Sequence, residues 1–381
     1  MVLEVTVRSR FAPLVLSLGL PLAGCYWMVW DPDDTDFPET GSYAFTCGRD
    51  EIRRLTTGQS FASLAEALAD AKEDDAFCIG EGEHDVGVAD WVMWEPMSAS
   101  PGLRLVGSGS ASTVLSGPDG LSDAYQARLY LMIAGRRGTI ELEGLSLVGA
   151  PLNIEAGRVV LNDLRVTAIG GSTFIADIDA MEIEVNGLAL AGSGPLGQVP
   201  MKISGDGVIR DLSITDNLVS PGYLLQAYGD LTFIDPLVSG NSCINDEIGF
   251  MAIEAFGPLH IQGGRFTGNN INGPLIYTWQ PLELQDVVFE GNAPGWRGMV
   301  TLESHGVVSG GSVKGNFGGS GAFELCDGCT LQINGVDFGI GEDRNEPCDV
   351  AANLTGGSHV ICLADELGGD ATASCDREGC L

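Results

Sequence analysis

The chain has 381 residues, 54 of them glycine, and a formal net charge of −33. That charge excludes nucleic acid as a ligand, since phosphate backbones are bound by clustered Lys and Arg, and only 19 are present. It favours solubility, cations and basic partners, although a solvated acidic surface needs no ligand.

Arg8 and Arg10 precede the apolar run FAPLVLSLGLPLAG, which is too short to span a bilayer as a permanent helix. The run ends on Leu22-Ala23-Gly24-Cys25. Together these features resemble the signal peptide and lipobox of bacterial lipoproteins. The resemblance implies that residues 1–24 are removed and that Cys25 is acylated, anchoring the chain to a membrane through its lipid. Several acyl chains hold stably where one does not. Tyr26, rather than Asp, follows the Cys, which by the same resemblance favours the outer membrane or cell surface. Residues 25–42 are acidic and contain proline without any period, and read as a tether. Asp31, Asp33, Asp34 and Asp36 offer oxygen ligands for Ca²⁺ there, but lack the glycine and closing Glu of an EF-hand loop.

Residues 43–102 read as an N-terminal cap and a first coil. Ser63 and Glu66 form a capping box. Phe61, Leu64, Ala65, Leu68 and Ala71 recur at helical spacing, which predicts an amphipathic helix over 61–72. A solenoid's open end exposes apolar layers and unpaired edges, and such a helix covers them.

Residues 103–363 repeat one pattern. GVIRDLSITDN, LTFIDPLVSGN, LHIQGGRFTGN, LELQDVVFEGN and VVSGGSVKGN each alternate apolar and other residues about a central Asp or Gly and close on Asn. The closing residues are Asn217, Asn241, Asn269, Asn292 and Asn316. A fixed period in the range of 20–50 residues marks a solenoid, and the internal alternation marks strands. The central turn residues are Gly144, Asp163, Gly187, Asp211, Asp235, Gly263, Asp286, Gly310 and Gly335. A further strand precedes each by about ten residues, so three short strands make a coil. One longer coil carries an insertion around 241–249. The Asn are expected at tight left-handed corners, with their amides bonded up the stack. The expected fold is all-β: a parallel β-helix solenoid of three strands per coil and about nine or ten coils, behind a short capping helix. The helix-to-strand lead-in and the GSGSASTVLSG segment, Gly107 to Gly117, resemble right-handed parallel β-helix proteins of the pectate-lyase-like superfamily. That resemblance is specific for fold and unspecific for activity.

Ten cysteines are present. Leaving out Cys25, an exported chain is expected to pair Cys47 with Cys78, Cys326 with Cys329, Cys348 with Cys362 and Cys375 with Cys380, the last in a tail at 364–381. Cys243 is left free. The alternative for Cys326 and Cys329 is a zinc site with two later thiolates.

Parallel β-helices often act on polysaccharides. Asp211 and Asp235 fall one coil apart, as a catalytic carboxylate pair would, but both also occupy the turn column. Asp216 and His305 have no matching acidic pair or basic motif. Tyr228, Phe256 and Trp279 fall at one position of three successive coils, with Tyr277 and Trp296 near them. Facing outward they form a platform for sugar rings; facing inward, the favoured expectation, they fill the core. The expected function is a non-enzymatic, surface-displayed lipoprotein for adhesion or ligand binding, with a glycan among the candidate ligands. It is expected to be monomeric and to use no cofactor. The alternative is a cell-surface polysaccharide lyase or glycoside hydrolase on the same fold.

Overall fold

The computed structural model describes residues 47–85, 91–94, 102–116, 129–133, 138–148, 152–169, 176–193, 195–196, 201–219, 223–243, 251–295, 297–339, 344–346, 349–352 and 358–362. Cys25, the four tether aspartates, Trp296, Cys348, Cys375, Cys380 and the part of the insertion from 244 on, with Asp246 and Glu247, lie outside them, as does the side chain of Cys362.

The chain is a parallel β-solenoid whose coils each contribute strands to three sides. The first side stacks Asp75–Ile79, Gly102–Gly107 and Thr139–Val148, and then segments of the long strands Leu152–Ile169, Ala176–Ser193 and Met201–Thr215. It continues through Leu231–Ile234, Leu259–Gln262, Leu282–Gln285, Gly306–Ser309, Thr330–Asn334 and His359–Cys362. All nine turn residues picked out by alignment sit just after this side or within its long strands. The ladder continues beyond them at both ends.

Alternation decides what is buried. Leu231 and Phe233, Leu259 and Ile261, and Leu282 and Leu284 point inward in successive coils, each at most 2% exposed. The second side contributes Val238, Phe266, Phe289 and Val313 to the same core. Phe266 and Phe289 stack there with centroids 4.8 Å apart. The coil interior is thus filled by phenylalanines of the second side rather than by the aromatics expected there.

Turns recur in register. Asp163, Asp211, Asp235 and Asp286 adopt φ of 50–55°, and Gly144, Gly187, Gly263, Gly310 and Gly335 adopt φ of 62–78°. This is the left-handed region, which Asp tolerates and Gly adopts freely. A second left-handed row is formed by Asp216, Gly240, Gly268, Gly291 and Gly315. These are the residues immediately before the five repeat Asn. The Asn themselves are therefore not the left-handed residues expected; their backbone leaves the corner, and only their amides make the ladder.

That ladder is buried. Asn217 Nδ2 donates to Asn241 Oδ1 at 2.9 Å, Asn241 to Asn269 at 2.9 Å, Asn269 to Asn292 at 2.9 Å and Asn292 to Asn316 at 2.9 Å. Asn345 extends it, accepting from Asn316 at 2.8 Å. From Asn241 onward each Oδ1 also accepts the backbone N–H of the preceding Asn, and each Nδ2 also donates to a carbonyl of the preceding coil. The accepting carbonyls are those of Ile214, Val238, Phe266, Phe289 and Val313, on the second side of the coil before, so the ladder ties each corner to that side.

The cap helix is Leu64–Ala69, shorter than the predicted 61–72. Ser63 is the N-cap, its side chain accepting from the Glu66 N–H at 3.1 Å. Phe61 is held in the strand Ser60–Phe61 against Ile52–Arg54, which stops the helix from starting earlier. At the other end Arg54 takes the carbonyl of Asp70 at 2.6 Å and its carboxylate at 2.9 Å. Arg54 is only 4% exposed, pairs with Asp75 at 3.0 Å and lies over the rings of Phe61 and Phe77. The buried helix face is Leu64, Ala67 and Leu68; Ala67 replaces the expected Ala65. Cys47 and Cys78 form a disulfide beside the cap, and Cys326 and Cys329 form one at a late turn. The second bond removes those two thiolates from the alternative zinc site. Cys243 is free and half-buried, and burial pushes its thiol up.

Candidate ligand-binding face

The third side stacks Tyr223–Tyr228, Met251–Ala255, Ile276–Thr278, Val300–Leu302 and Phe323–Leu325 in parallel register. Leu225 and Ala227, Ile253 and Ala255, and Ile276 and Thr278 point inward and are buried. The next residue in each coil is Tyr228, Phe256 or Trp279, so strand parity turns all three rings outward. Phe256 is 37% exposed and Trp279 46%. The expectation that these rings fill the core is overturned. The slots that a core stack would need are taken by Ala227, Ala255 and Thr278.

The three rings do not form one flat platform. Tyr228 and Phe256 stack face to face, 4.6 Å apart and 6° from parallel. Each therefore covers a face of the other, and Lys202 lies over Tyr228 with its Nζ 5.7 Å from the centroid. Trp279 instead meets Tyr277 edge-on, at 5.1 Å and 65°. Tyr277 is 5% exposed, covered by Trp279 and by Arg297 at 5.7 Å from its ring.

Carboxylates underlie the aromatics. Glu254 is 5% exposed; it accepts from Gln226 Nε2 at 2.8 Å and from Trp279 Nε1 at 3.4 Å, and Tyr223 also bonds to it. Tyr277 donates its hydroxyl to Glu303 at 2.9 Å. Arg297 lies 3.3 Å from the same oxygen and 3.5 Å from Glu324. Burial, then the bond to Glu303, raises the Tyr277 hydroxyl far above the ordinary tyrosine value. Burial and the charge of Glu254 raise Tyr223 and Tyr228 as well. These hydroxyls stay protonated, and those of Tyr223 and Tyr277 donate to Glu254 and Glu303.

The catalytic candidates have another occupation. Asp211 and Asp235 are left-handed turn residues like Asp163 and Asp286. Gly263 packs above Asp235 so closely that an added Cβ would lie 2.1 Å from Asp235 Oδ1. Asp216 is likewise a left-handed corner. His305 Nδ1 accepts the Thr330 N–H at 3.2 Å. Among the described residues, no group of three or more His, Cys, Asp or Glu is arranged to hold a metal ion.

Sequence reasoning placed the aromatic column but missed the residues that shape it: Gln226, Glu254, Arg297 and Glu303. Comparison with protein-family models, with curated proteins and with solved structures gives no match for this chain.

Proposed function

We propose that the chain is a non-enzymatic glycan-binding solenoid, displayed at a bacterial surface and anchored in the outer membrane through acylated Cys25. The observation that carries this reading is the outward column of Tyr228, Phe256 and Trp279 on successive coils, set beside the buried carboxyl group of Glu254. Exposed aromatics offer the apolar faces and edges on which sugar rings pack, and nearby carboxylates accept bonds from hydroxyls. The principal contact is Trp279, since Tyr228 and Phe256 spend their facing surfaces on each other. The lipoprotein part rests on the resemblance at residues 1–25.

A glycan array read in parallel with reducing-sugar release tests the first part. Binding that Trp279→Ala abolishes, without sugar release, supports the proposal. Sugar release by the wild type returns the lyase or hydrolase alternative, and an empty array removes the glycan. For the second part, Cys25→Ser should move the protein from the membrane to the soluble fraction; a mutant that stays with membranes refutes the anchor.

A further inference from the structure

Cations cover two rings of the aromatic face, and the two exposed rings, Phe256 and Trp279, have none over them among the described residues. Lys202 covers Tyr228 and Arg297 covers Tyr277, each at 5.7 Å. Indole is the strongest cation–π acceptor of the three ring types. Trp279 is 46% exposed, and among the described residues no cation lies over it. The carboxylate below it is in the same position. Glu303 has Arg297, whereas Glu254 is held by Gln226, Trp279 and Tyr223, all neutral donors. A carboxyl group that is 5% exposed and has no ion-pair partner among the described residues makes the surface above it attractive to a cation.

Resting on the glycan reading, we propose that the ligand is an amine-bearing glycan, a polymer of unacetylated hexosamine, whose ammonium group sits on Trp279 beside Glu254. The ring and methylene surface of the sugar packs on the exposed aromatics. The ammonium supplies the cation that this part of the face lacks. Net charge points the same way: at −33, the protein repels a polyuronate and attracts a polyamine sugar at long range. This separates the proposed ligand from the acidic polysaccharides that parallel β-helix enzymes would suggest.

The test uses the full chain and three oligosaccharides of equal length: free-amine glucosamine, N-acetylglucosamine and galacturonate, at a pH where the amines are protonated. Binding is read by calorimetry and by tryptophan fluorescence. The glucosamine oligomer should bind about tenfold more tightly than the acetylated one, between the exposed and the desolvated strength of a cation–π contact. Galacturonate should not bind. Glu254→Gln should remove most of the preference, and Trp279→Ala the binding itself. Should Glu254→Gln unfold, the wild type still decides: salt should weaken amine binding and leave acetylated binding nearly unchanged. Equal or tighter binding of the acetylated oligomer overturns the amine proposal while leaving the glycan reading standing. Failure of all three oligomers to bind overturns both. If oligolysine binds as tightly as the glucosamine oligomer with the same quenching, the site reads charge alone and the sugar assignment falls.

Discussion

Asn269 sits at the centre of the buried amide ladder, 1% exposed, and its truncation to Ala is a sharp test of what that ladder does. Its Oδ1 accepts two bonds from Asn241, from the backbone N–H at 3.2 Å and from Nδ2 at 2.9 Å. Its Nδ2 donates to Asn292 Oδ1 and to the carbonyl of Val238, both at 2.9 Å. Asn292 Oδ1 keeps a second donor, the backbone N–H of Asn269. Asn241 has no such reserve: its N–H and one amide hydrogen lose their acceptor. Each orphaned buried donor costs about 1–3 kcal/mol, so Asn269→Ala should cost about 3–5 kcal/mol. Asn162 provides the control. It accepts one bond, from Asn186 at 2.9 Å, on the half-buried outer surface, and Asn162→Ala should cost about 1 kcal/mol. Urea unfolding measures both, with equal m-values required before midpoints are compared. If Asn269→Ala lies within about 1 kcal/mol of wild type, or the two variants cost the same, the ladder is not a stabilising element.

Loop length separates the two disulfides. Cys47–Cys78 spans 31 residues and Cys326–Cys329 spans 3, so chain entropy makes Cys47→Ser cost about 3–4 kcal/mol and Cys326→Ser about 2 kcal/mol. Equal losses in thermal melts would contradict that. Among left-handed glycines, Gly264→Ala should be far worse than Gly268→Ala. A Cβ on Gly264 meets Pro236 at 2.5 Å, whereas one on Gly268 meets nothing within 4 Å and costs only about 1–2 kcal/mol for its backbone. Asp349 is raised above its ordinary value of 3.8 by burial, outweighing its bond from Asn345. The folded state therefore holds that proton more tightly than the unfolded one, and stability falls as pH rises from the unfolded value through the folded one. Asp349→Asn should flatten that acid-range slope; an unchanged slope assigns it to other groups.

The period and the three-sided coil were legible because Asp, Gly and Asn recur at the corners, where few other residues fit. The left-handed position was one residue off. Asp or Gly directly before each Asn was the signal, since both enter that region more readily than the residues around them. The outward parity of Tyr228 and Phe256 was also present in the sequence. Gln226 and Glu254 lie two residues earlier on the same strand face, and polar residues there mark it as the outer one. Counting back across a turn obscured this. The Tyr277–Glu303 bond joins residues one coil apart, so it becomes visible only once register is fixed. Arg54 belongs to no repeat, and its burial beneath the cap left no pattern to read.

The amide ladder has a direction. From Asn217 to Asn345 every rung donates toward the later coil, so the side-chain dipoles align head to tail rather than cancelling. Such a chain polarises itself, each donor being strengthened by the bond its own oxygen accepts. It begins on a buried oxygen, Asn217 Oδ1, and ends with Asn345 donating to the carboxylate of Asp349 at 2.8 Å. The positive terminus of the array thus meets an anionic group, as a carboxylate meets the first turn of an α-helix. The cap helix marks one end of the solenoid, and in the later coils the same sense of direction is carried by a single file of asparagines.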